Sequence, residues 1–216
     1  MARSRQRPRR YSSAIRSEQA ELTRQRVLDA AAGLFVRLGY AGTTITAVAA
    51  EAGVSPETIY ATFDSKRGLL EGVIDGTIMG PGSPVPLEEQ SVWDAIAEQP
   101  DARERLRAYV EFSCGVLSRT SPIHQVIRGA ADSESFAVEL SDRLLRERLA
   151  SNVRHLRDYV GADLREGLTL QRAAERYCAI TSPEMHHLLT VRLGWSRKAH
   201  QEWVLALAVQ DLRGPD

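Results

Sequence analysis

Apolar residues recur at spacings of three and four along most of this 216-residue chain. Residues 21–38, for example, follow that helical period, and Gly39 stands where such a helix would end. No segment shows a sustained alternation of apolar and polar residues between hairpin turns, as a half-buried strand would require. The sequence therefore predicts an all-α fold.

Two short helices are predicted directly after that first one. The second helix begins after Thr43 or Thr44, either of which can cap it, and stops at Gly53 about two turns later. Ser55 is a good N-cap for the third helix. Pro56 suits its first position, where the missing N–H costs nothing, and this helix continues through Phe63.

Further helices are predicted on both sides of a proline-rich break. Asp64 or Ser65 caps a fourth helix, whose apolar stripe extends to Ile78. Three prolines and two glycines follow within residues 80–86, which we interpret as a linker or long loop. Beyond it, helical patterns cover residues 88–98, 102–118, 122–131, 135–160, 169–180, 183–193 and 196–212.

The second and third helices have the spacing of a helix-turn-helix. Ala49 lies four residues before Gly53, where a larger side chain would block two helices that cross steeply, and Gly53 can adopt the positive φ of the turn. Val54 and Ile59 supply apolar contacts between the helices. Such a pair can place its second helix in a DNA major groove, although any all-helical protein contains short helix pairs with a glycine turn.

Charge is distributed unevenly although the net charge is zero. Residues 1–67 hold eleven basic and six acidic residues, a net of +5, and the remainder is therefore −5. A basic segment joined to an acidic body favours a polyanion site near the N-terminus. Residues 1–18, which are rich in arginine and poor in apolar residues, are predicted to be a disordered basic arm.

Residues 26–70 combine the helix-turn-helix pattern with an ordered set of residues: Ala30, Ala31, Phe35, Gly39, Tyr40, Thr43, Thr44, Ala49, Gly53, Val54, Tyr60, Phe63, Lys66 and Leu69. With these residues the segment resembles the DNA-binding domain of the tetracycline-repressor (TetR) family of bacterial transcription regulators. A weaker similarity links residues 182–203 to a closing helix pair in one branch of that family. The resemblance implies a three-helix DNA-binding domain at 19–66 and a helical regulatory and dimerisation domain at 67–216.

The resemblance assigns DNA contacts to two groups of residues. Backbone phosphates are expected at Thr43, Thr44, Tyr60 and Lys66, and the first two lie at a helix N-terminus, which favours anions. Glu57 can accept a hydrogen bond from a cytosine amino group, but it can equally serve only to favour the helix dipole. The candidates for base readout are Ser55, Glu57, Thr58, Ala61 and Thr62.

The arginine-rich arm has two interpretations. Arms that precede a helix-turn-helix can enter the adjacent minor groove, where arginine favours narrow A/T-rich stretches. Arg7, Arg9 and Arg10 are therefore candidate DNA contacts, together with Arg5. The alternative is an inert tail.

Enzyme, metal and membrane functions find no support in the sequence. The five histidines are scattered, and there is no metalloprotease spacing, nucleophile elbow or glycine-rich phosphate loop after a strand. Cys114 and Cys178 are too few for a disulfide framework, and no apolar run reaches the roughly 20 residues of a membrane helix. We expect a cytoplasmic protein that is not an enzyme and needs no cofactor or metal.

The resemblance implies a dimer that binds a palindromic operator, with an effector pocket in the C-terminal part. The dimer interface is expected at Leu170, Ala174, Tyr177, Trp203, Val204 and Leu207, unless these apolar stripes are ordinary core. The pocket is expected at Tyr109, Phe112, Cys114, His124, Ile127 and His155, each of which could also be core.

The predicted function is a homodimeric repressor that a small-molecule ligand releases from double-stranded DNA. The alternative is a constitutive or partner-gated DNA-binding protein that has no small-molecule effector.

Overall fold

The computed structural model describes residues 9–80 and 89–213, with side chains from residue 17 onward, and confirms the all-α fold. No helix in these ranges is long and apolar enough to span a membrane. The described helices are α1 (Arg9–Gly42), α2 (Ile45–Ala52), α3 (Pro56–Phe63), α4 (Lys66–Met79), α5 (Val92–Ala97), α6 (Ala102–Ala130), α7 (Ser135–Val160), α8 (Leu170–Ile180), α9 (Pro183–His187) and α10 (Arg197–Ala208).

The chain divides into two compact units, Met1–Val73 and Ile74–Asp216. The sequence analysis places the corresponding boundary at 66/67, where α4 begins. The first turns of α4 belong instead to the first unit, because a side chain at Gly72 would meet Phe63 and Leu28 within 3.3 Å. Helix α4 thus begins in one unit and ends in the other.

Helix α1 begins at Arg9, earlier than the apolar pattern indicates. The pattern misses this extension because the preceding residues lack an apolar stripe, yet alanine, arginine, glutamate and glutamine are good helix formers. The backbone at Arg9 and Arg10 is therefore helical, whereas the sequence analysis expects a disordered arm up to residue 18. Residues 1–8, including Arg5 and Arg7, lie outside the described residues.

The core of the first unit is formed by the apolar faces that the sequence predicts. Ala31 and Phe35 of α1, Val48 of α2 and Ile59 of α3 are almost completely buried. At Gly39 the backbone turns to φ 71° and ψ 175°, and this breaks the helical path of α1 where the sequence predicts its end.

The second unit is built around the long helices α6 and α7, on which α8, α9 and α10 pack. Its core contains Leu106 and Val110 of α6, Leu156 of α7, Tyr177 of α8 and Val204 of α10. Two π-helical segments, at residues 188–192 and 209–213, extend α9 and α10.

Helix α6 continues through Pro122, where the sequence analysis places a break between residues 118 and 122. A proline inside a helix removes one backbone hydrogen bond and usually interrupts it. The carbonyl that loses its donor is that of Ser118, four residues before Pro122. Packing of α6 against several helices outweighs the local cost.

Candidate nucleic-acid interface and interior cavity

The turn between α2 and α3 has the geometry that the helix-turn-helix pattern predicts. Gly53 adopts φ 66° and ψ 39°, and its N–H points to the carbonyls of Ala49 and Ala50. The Val54 N–H donates to the Ala49 carbonyl at 3.0 Å. These bonds close the end of α2 in a Schellman-type cap, which sets the direction in which the chain enters α3.

Ser55 caps α3 and Pro56 occupies its first turn, as predicted. The Ser55 hydroxyl accepts from the Thr58 N–H at 3.3 Å, and the Thr62 hydroxyl donates to the Thr58 carbonyl at 2.9 Å. Because Ile59 is buried, the opposite face of this helix points to solvent.

The exposed face of α3 carries most of the candidate base-reading residues. Tyr60 is 53% exposed and offers its phenol to solvent. The pKa of Glu57 lies below its usual range because the carboxylate accepts hydrogen bonds from its own backbone N–H and from Ser55, so it is ionised at neutral pH. Thr58 is half-buried, while the exposed residues are Ser55, Glu57, Tyr60, Ala61 and Thr62.

The two threonines before α2 have different roles. Thr44 is exposed, caps α2 and accepts from the Ala47 N–H at 3.1 Å. Thr43 is only 1% exposed, and its hydroxyl donates to the Gly39 carbonyl at 2.8 Å. This hydroxyl is therefore used inside the unit, where it holds the end of α1, and Thr44 is the threonine of this pair whose side chain is exposed.

The backbone at the start of α4 lies very close to the backbone at the end of α3. Asp64 ends α3 at φ 65°, and Ser65, rather than Asp64, caps α4 by accepting from the Gly68 N–H at 3.0 Å. A Cβ atom at Gly68 would lie 2.1 Å from the Phe63 carbonyl oxygen, so only glycine allows this approach. The sequence analysis did not identify Gly68, although its position three residues after a cap was visible.

Lys66 is held at the start of α4 by an aromatic ring. Its ammonium lies 4.3 Å from the centroid of the Tyr40 ring, which stacks on Phe35 at 5.9 Å. Such cation–π contact restrains a flexible side chain while leaving its charge in place. The first unit therefore carries a restrained positive charge close in sequence to the exposed helix.

Comparison with known proteins addresses the same segment. The profile of the bacterial regulatory proteins of the tetR family matches residues 27–73. Residues 27–73 therefore match the DNA-binding segment of the TetR family. An uncharacterized HTH-type transcriptional regulator, YvkB of Bacillus subtilis (strain 168), is 44% identical over 52 residues. That match spans 24% of this chain and 28% of the relative.

Solved structures extend the similarity in fold over most of the chain. The transcriptional regulator FadR from Bacillus subtilis, in complex with stearoyl-CoA, has a TM-score of 0.68 at 18% identity, covering 89% of this chain and 99% of FadR. NalD, the secondary repressor of the MexAB-OprM multidrug efflux pump in Pseudomonas aeruginosa, has a TM-score of 0.63 at 19% identity, covering 91% and 98%. At these identities the similarity shows the TetR fold alone.

The second unit contains a cavity of about 410 Å³, within the range of small-molecule sites. Of the predicted pocket residues, Tyr109, Phe112 and His124 line it. The residues at the end of α4 that line it are Asp75, Ile78 and Met79.

Three other residues predicted for the pocket lie elsewhere. Cys114 and Ile127 are buried, 7% and 1% exposed, and neither is among the residues that line the cavity. His155 stacks on Trp93, with ring centroids 3.9 Å apart, and lies behind the wall that Trp93 forms. The periodicity of apolar residues alone does not distinguish a helix face that lines a cavity from one that packs in the core.

Several cavity residues escaped the sequence analysis. Trp93 comes from the short helix α5, Asn152 and Arg148 from α7, and Val116 and Leu117 from α6. The sequence signal for α7 was the presence of an asparagine and an arginine on its apolar face. Polar groups buried there require partners, and this could have indicated a cavity.

The residues predicted for the dimer interface divide into two groups. Ala174, Tyr177 and Val204 are completely buried in the core of their own chain, which is the alternative that the sequence analysis keeps for these apolar stripes. The helical period detects burial, and here the burial is intramolecular. Leu170, Trp203 and Leu207 are partly exposed.

Proposed function

We propose that this TetR-family chain is a homodimeric transcriptional repressor that binds a two-fold symmetric operator and is released from it by a small-molecule effector. The observation that carries DNA binding is the capped helix α3. Its exposed face combines an ionised Glu57 with Tyr60, Ala61 and Thr62, inside the segment matched by the family profile. A helix of this length presents its first two turns to base edges when it enters a major groove.

Contacts to the DNA backbone are proposed at the margins of that helix. Thr44 and the free N–H groups at the start of α2 offer a site for one phosphate, and Tyr60 offers its hydroxyl to another. Lys66 supplies a positive charge that Tyr40 keeps in a restricted position. The arginine arm is proposed to add phosphate and minor-groove contacts through Arg7, Arg9 and Arg10.

Effector release is proposed because α4 links the two units. The helix begins with Lys66, and its last turns line the cavity through Asp75, Ile78 and Met79. The end of α4 can take different positions in the DNA-binding and released states. A ligand that binds one of these states more tightly shifts the equilibrium towards it by the difference in affinity. FadR, which has the same fold, was solved with stearoyl-CoA bound, which supports a ligand role for such a unit.

A dimer is proposed because a two-fold operator requires two recognition helices in successive major grooves, about 34 Å apart. The partly exposed Leu170, Trp203 and Leu207 remain candidate contacts.

The test is a fluorescence-anisotropy titration of DNA from upstream of the chain's own gene, at several salt concentrations. Replacing Lys66 by Gln removes one phosphate contact per protomer, so the salt slope should fall by about 0.9 per protomer. Lys198→Gln is the matched control, because Lys198 is an exposed lysine of the second unit that pairs with Glu202 at 3.8 Å.

Two results would contradict the proposal. One is an equal loss of affinity in the Lys66 and Lys198 variants, which would show that only overall charge matters. The other is an affinity that does not depend on salt.

A further inference from the structure

The cavity in the second unit has a mainly apolar wall. Trp93 and Phe112 contact each other edge to face, with ring centroids 4.6 Å apart, and Val116, Leu117 and Leu144 continue the wall along α6 and α7. A ligand in this space must therefore present an apolar body, because apolar contact is the main source of affinity here.

Several polar groups in the wall are already paired within the protein. The Tyr109 hydroxyl donates to Asn152 Oδ1 at 2.6 Å, and Asn152 Nδ2 donates to the sulfur of Cys178 at 3.0 Å. The hydroxyl of Tyr177, behind the wall, donates to Ser113 Oγ at 3.0 Å. These groups hold α6, α7 and α8 together, so a ligand would have to break existing bonds to use them fully.

Arg148 brings a positive charge to the cavity without a carboxylate partner. The side chain is half-buried, and its guanidinium donates to the carbonyls of Thr181 at 2.9 Å and Cys178 at 3.4 Å. Within the described residues no acidic side chain forms an ion pair with it. Both carbonyls lie at the C-terminal end of α8, whose dipole compensates part of this charge but supplies no full counter-charge. An anion placed beside the guanidinium would form charge-assisted hydrogen bonds with it.

His124 also has polar capacity left for a ligand. No hydrogen bond to this ring is found among the described residues. Burial and the nearby charge of Arg148 lower the pKa of His124 to about 4, against the opposing effect of Glu184. The ring is therefore neutral at pH 7 and offers one donor and one acceptor.

The carboxylates that border the cavity are in contact with solvent. Asp75, Glu147 and Glu184 are exposed, and Glu147 pairs with Arg143 at 3.5 Å. Exposed charges are screened by water, whereas the charge of Arg148 is partly shielded from it. The electrostatic preference inside the cavity is consequently set by Arg148.

We propose that the effector is a small organic carboxylate with an aromatic or other apolar body. Its carboxylate lies against Arg148, within reach of the donor on His124, and its body lies against the wall formed by Trp93, Phe112 and Val116. This inference rests on the proposed effector role of the cavity and specifies the chemical class that the cavity takes.

The test compares three probes that share one body and differ in charge: naphthoate, naphthamide and naphthylmethylammonium. Binding to the full chain is measured without DNA by isothermal calorimetry, with tryptophan fluorescence as a second signal. We expect naphthoate to bind at least tenfold more tightly than either of the other two.

Variants of Arg148 test the origin of that preference. Arg148→Gln should reduce the preference for naphthoate to less than threefold, whereas Arg148→Lys, which keeps the charge, should retain most of it. The control Arg146→Gln removes an exposed arginine of the same helix that does not line the cavity, and it should change nothing. Circular dichroism melting shows whether Arg148→Gln folds. If it does not fold, the probe preference of Arg148→Lys decides the test.

The proposal is overturned if naphthylmethylammonium binds as tightly as naphthoate, if naphthamide matches it, or if none of the three binds at millimolar concentration. Operator release is measured separately, by anisotropy with each probe present. Preferred binding of naphthoate without operator release would leave the ligand class standing and contradict the effector role. Operator release by naphthamide or naphthylmethylammonium alone would leave the effector role standing and contradict the ligand class.

Discussion

Replacing Gly53 by Ala should destabilise the first unit through backbone strain alone. The residue adopts φ 66°, where a Cβ atom costs about 1–2 kcal/mol. A Cβ atom built at this position meets no atom within 4 Å, so no clash adds to the cost. Alanine also restricts the unfolded chain, which offsets about 0.4–1 kcal/mol. The expected net loss is about 1 kcal/mol.

The assay must report on the first unit. Trp93, Trp195 and Trp203 all lie in the second unit, so tryptophan fluorescence would follow the wrong part of the chain. Amide hydrogen exchange of α2, measured by mass spectrometry on the full chain, reports the correct region. A loss of about 1 kcal/mol corresponds to roughly fivefold faster exchange in the slowest amides.

Two further variants separate strain from other effects. Gly53→Asn should fall between glycine and alanine, because Asn tolerates the left-handed region. Gly33→Ala in α1 is the matched control: its Cβ would meet only the end of the flexible Arg37 side chain, at 3.2 Å, so this helical alanine should stabilise by about 0.5–1 kcal/mol. Unchanged exchange in Gly53→Ala would refute the strain argument, and so would equal effects of Asn and Ala.

Three other changes have defined expectations. Tyr109→Phe leaves Asn152 without its 2.6 Å donor and should cost about 1–3 kcal/mol in urea unfolding followed by tryptophan fluorescence; a loss below 0.5 kcal/mol, on the order of an ordinary surface change, would contradict this. Pro122→Ala restores an N–H inside α6 and should stabilise by up to about 3 kcal/mol in the same assay, whereas destabilisation would show that the proline is needed. Burial, with the charges of His200 and Arg197, lowers the pKa of His186 to about 4, so the unfolded chain binds the proton more readily. Stability should be full above about pH 6.5 and fall as the pH is lowered towards 4, and His186→Gln should flatten that fall; an identical pH profile in the variant would exclude this role.

Local chemistry explains why the first unit could be predicted closely. Gly53, Ser55 and Pro56 each have a backbone requirement that few residues satisfy, so their order specifies the turn without tertiary information. The sequence does not distinguish Thr43 from Thr44, because two adjacent threonines can both cap a helix, and only the packed structure shows that Thr43 points inward.

The second unit was less predictable because its features depend on tertiary packing. Proline breaks helices in isolation, but packing against α7, α9 and α10 supports α6 through Pro122. Apolar period predicts that Tyr177 is buried and does not say whether a partner or the same chain buries it. The cavity brings together Trp93, His124 and Arg148 from three helices, and no sequence spacing relates them.

Footprinting of the full chain on DNA from upstream of its own gene tests the central claim most directly. We predict protection of two inverted half-sites whose centres lie one helical turn of DNA, about 34 Å, or a multiple of it apart. The variant Tyr60→Ala combined with Thr62→Ala removes exposed side chains of α3 without touching its buried face, and it should lose the footprint at unchanged thermal stability. Protection that persists in this variant, or the absence of any footprint with the wild-type chain, would contradict recognition of an operator through α3.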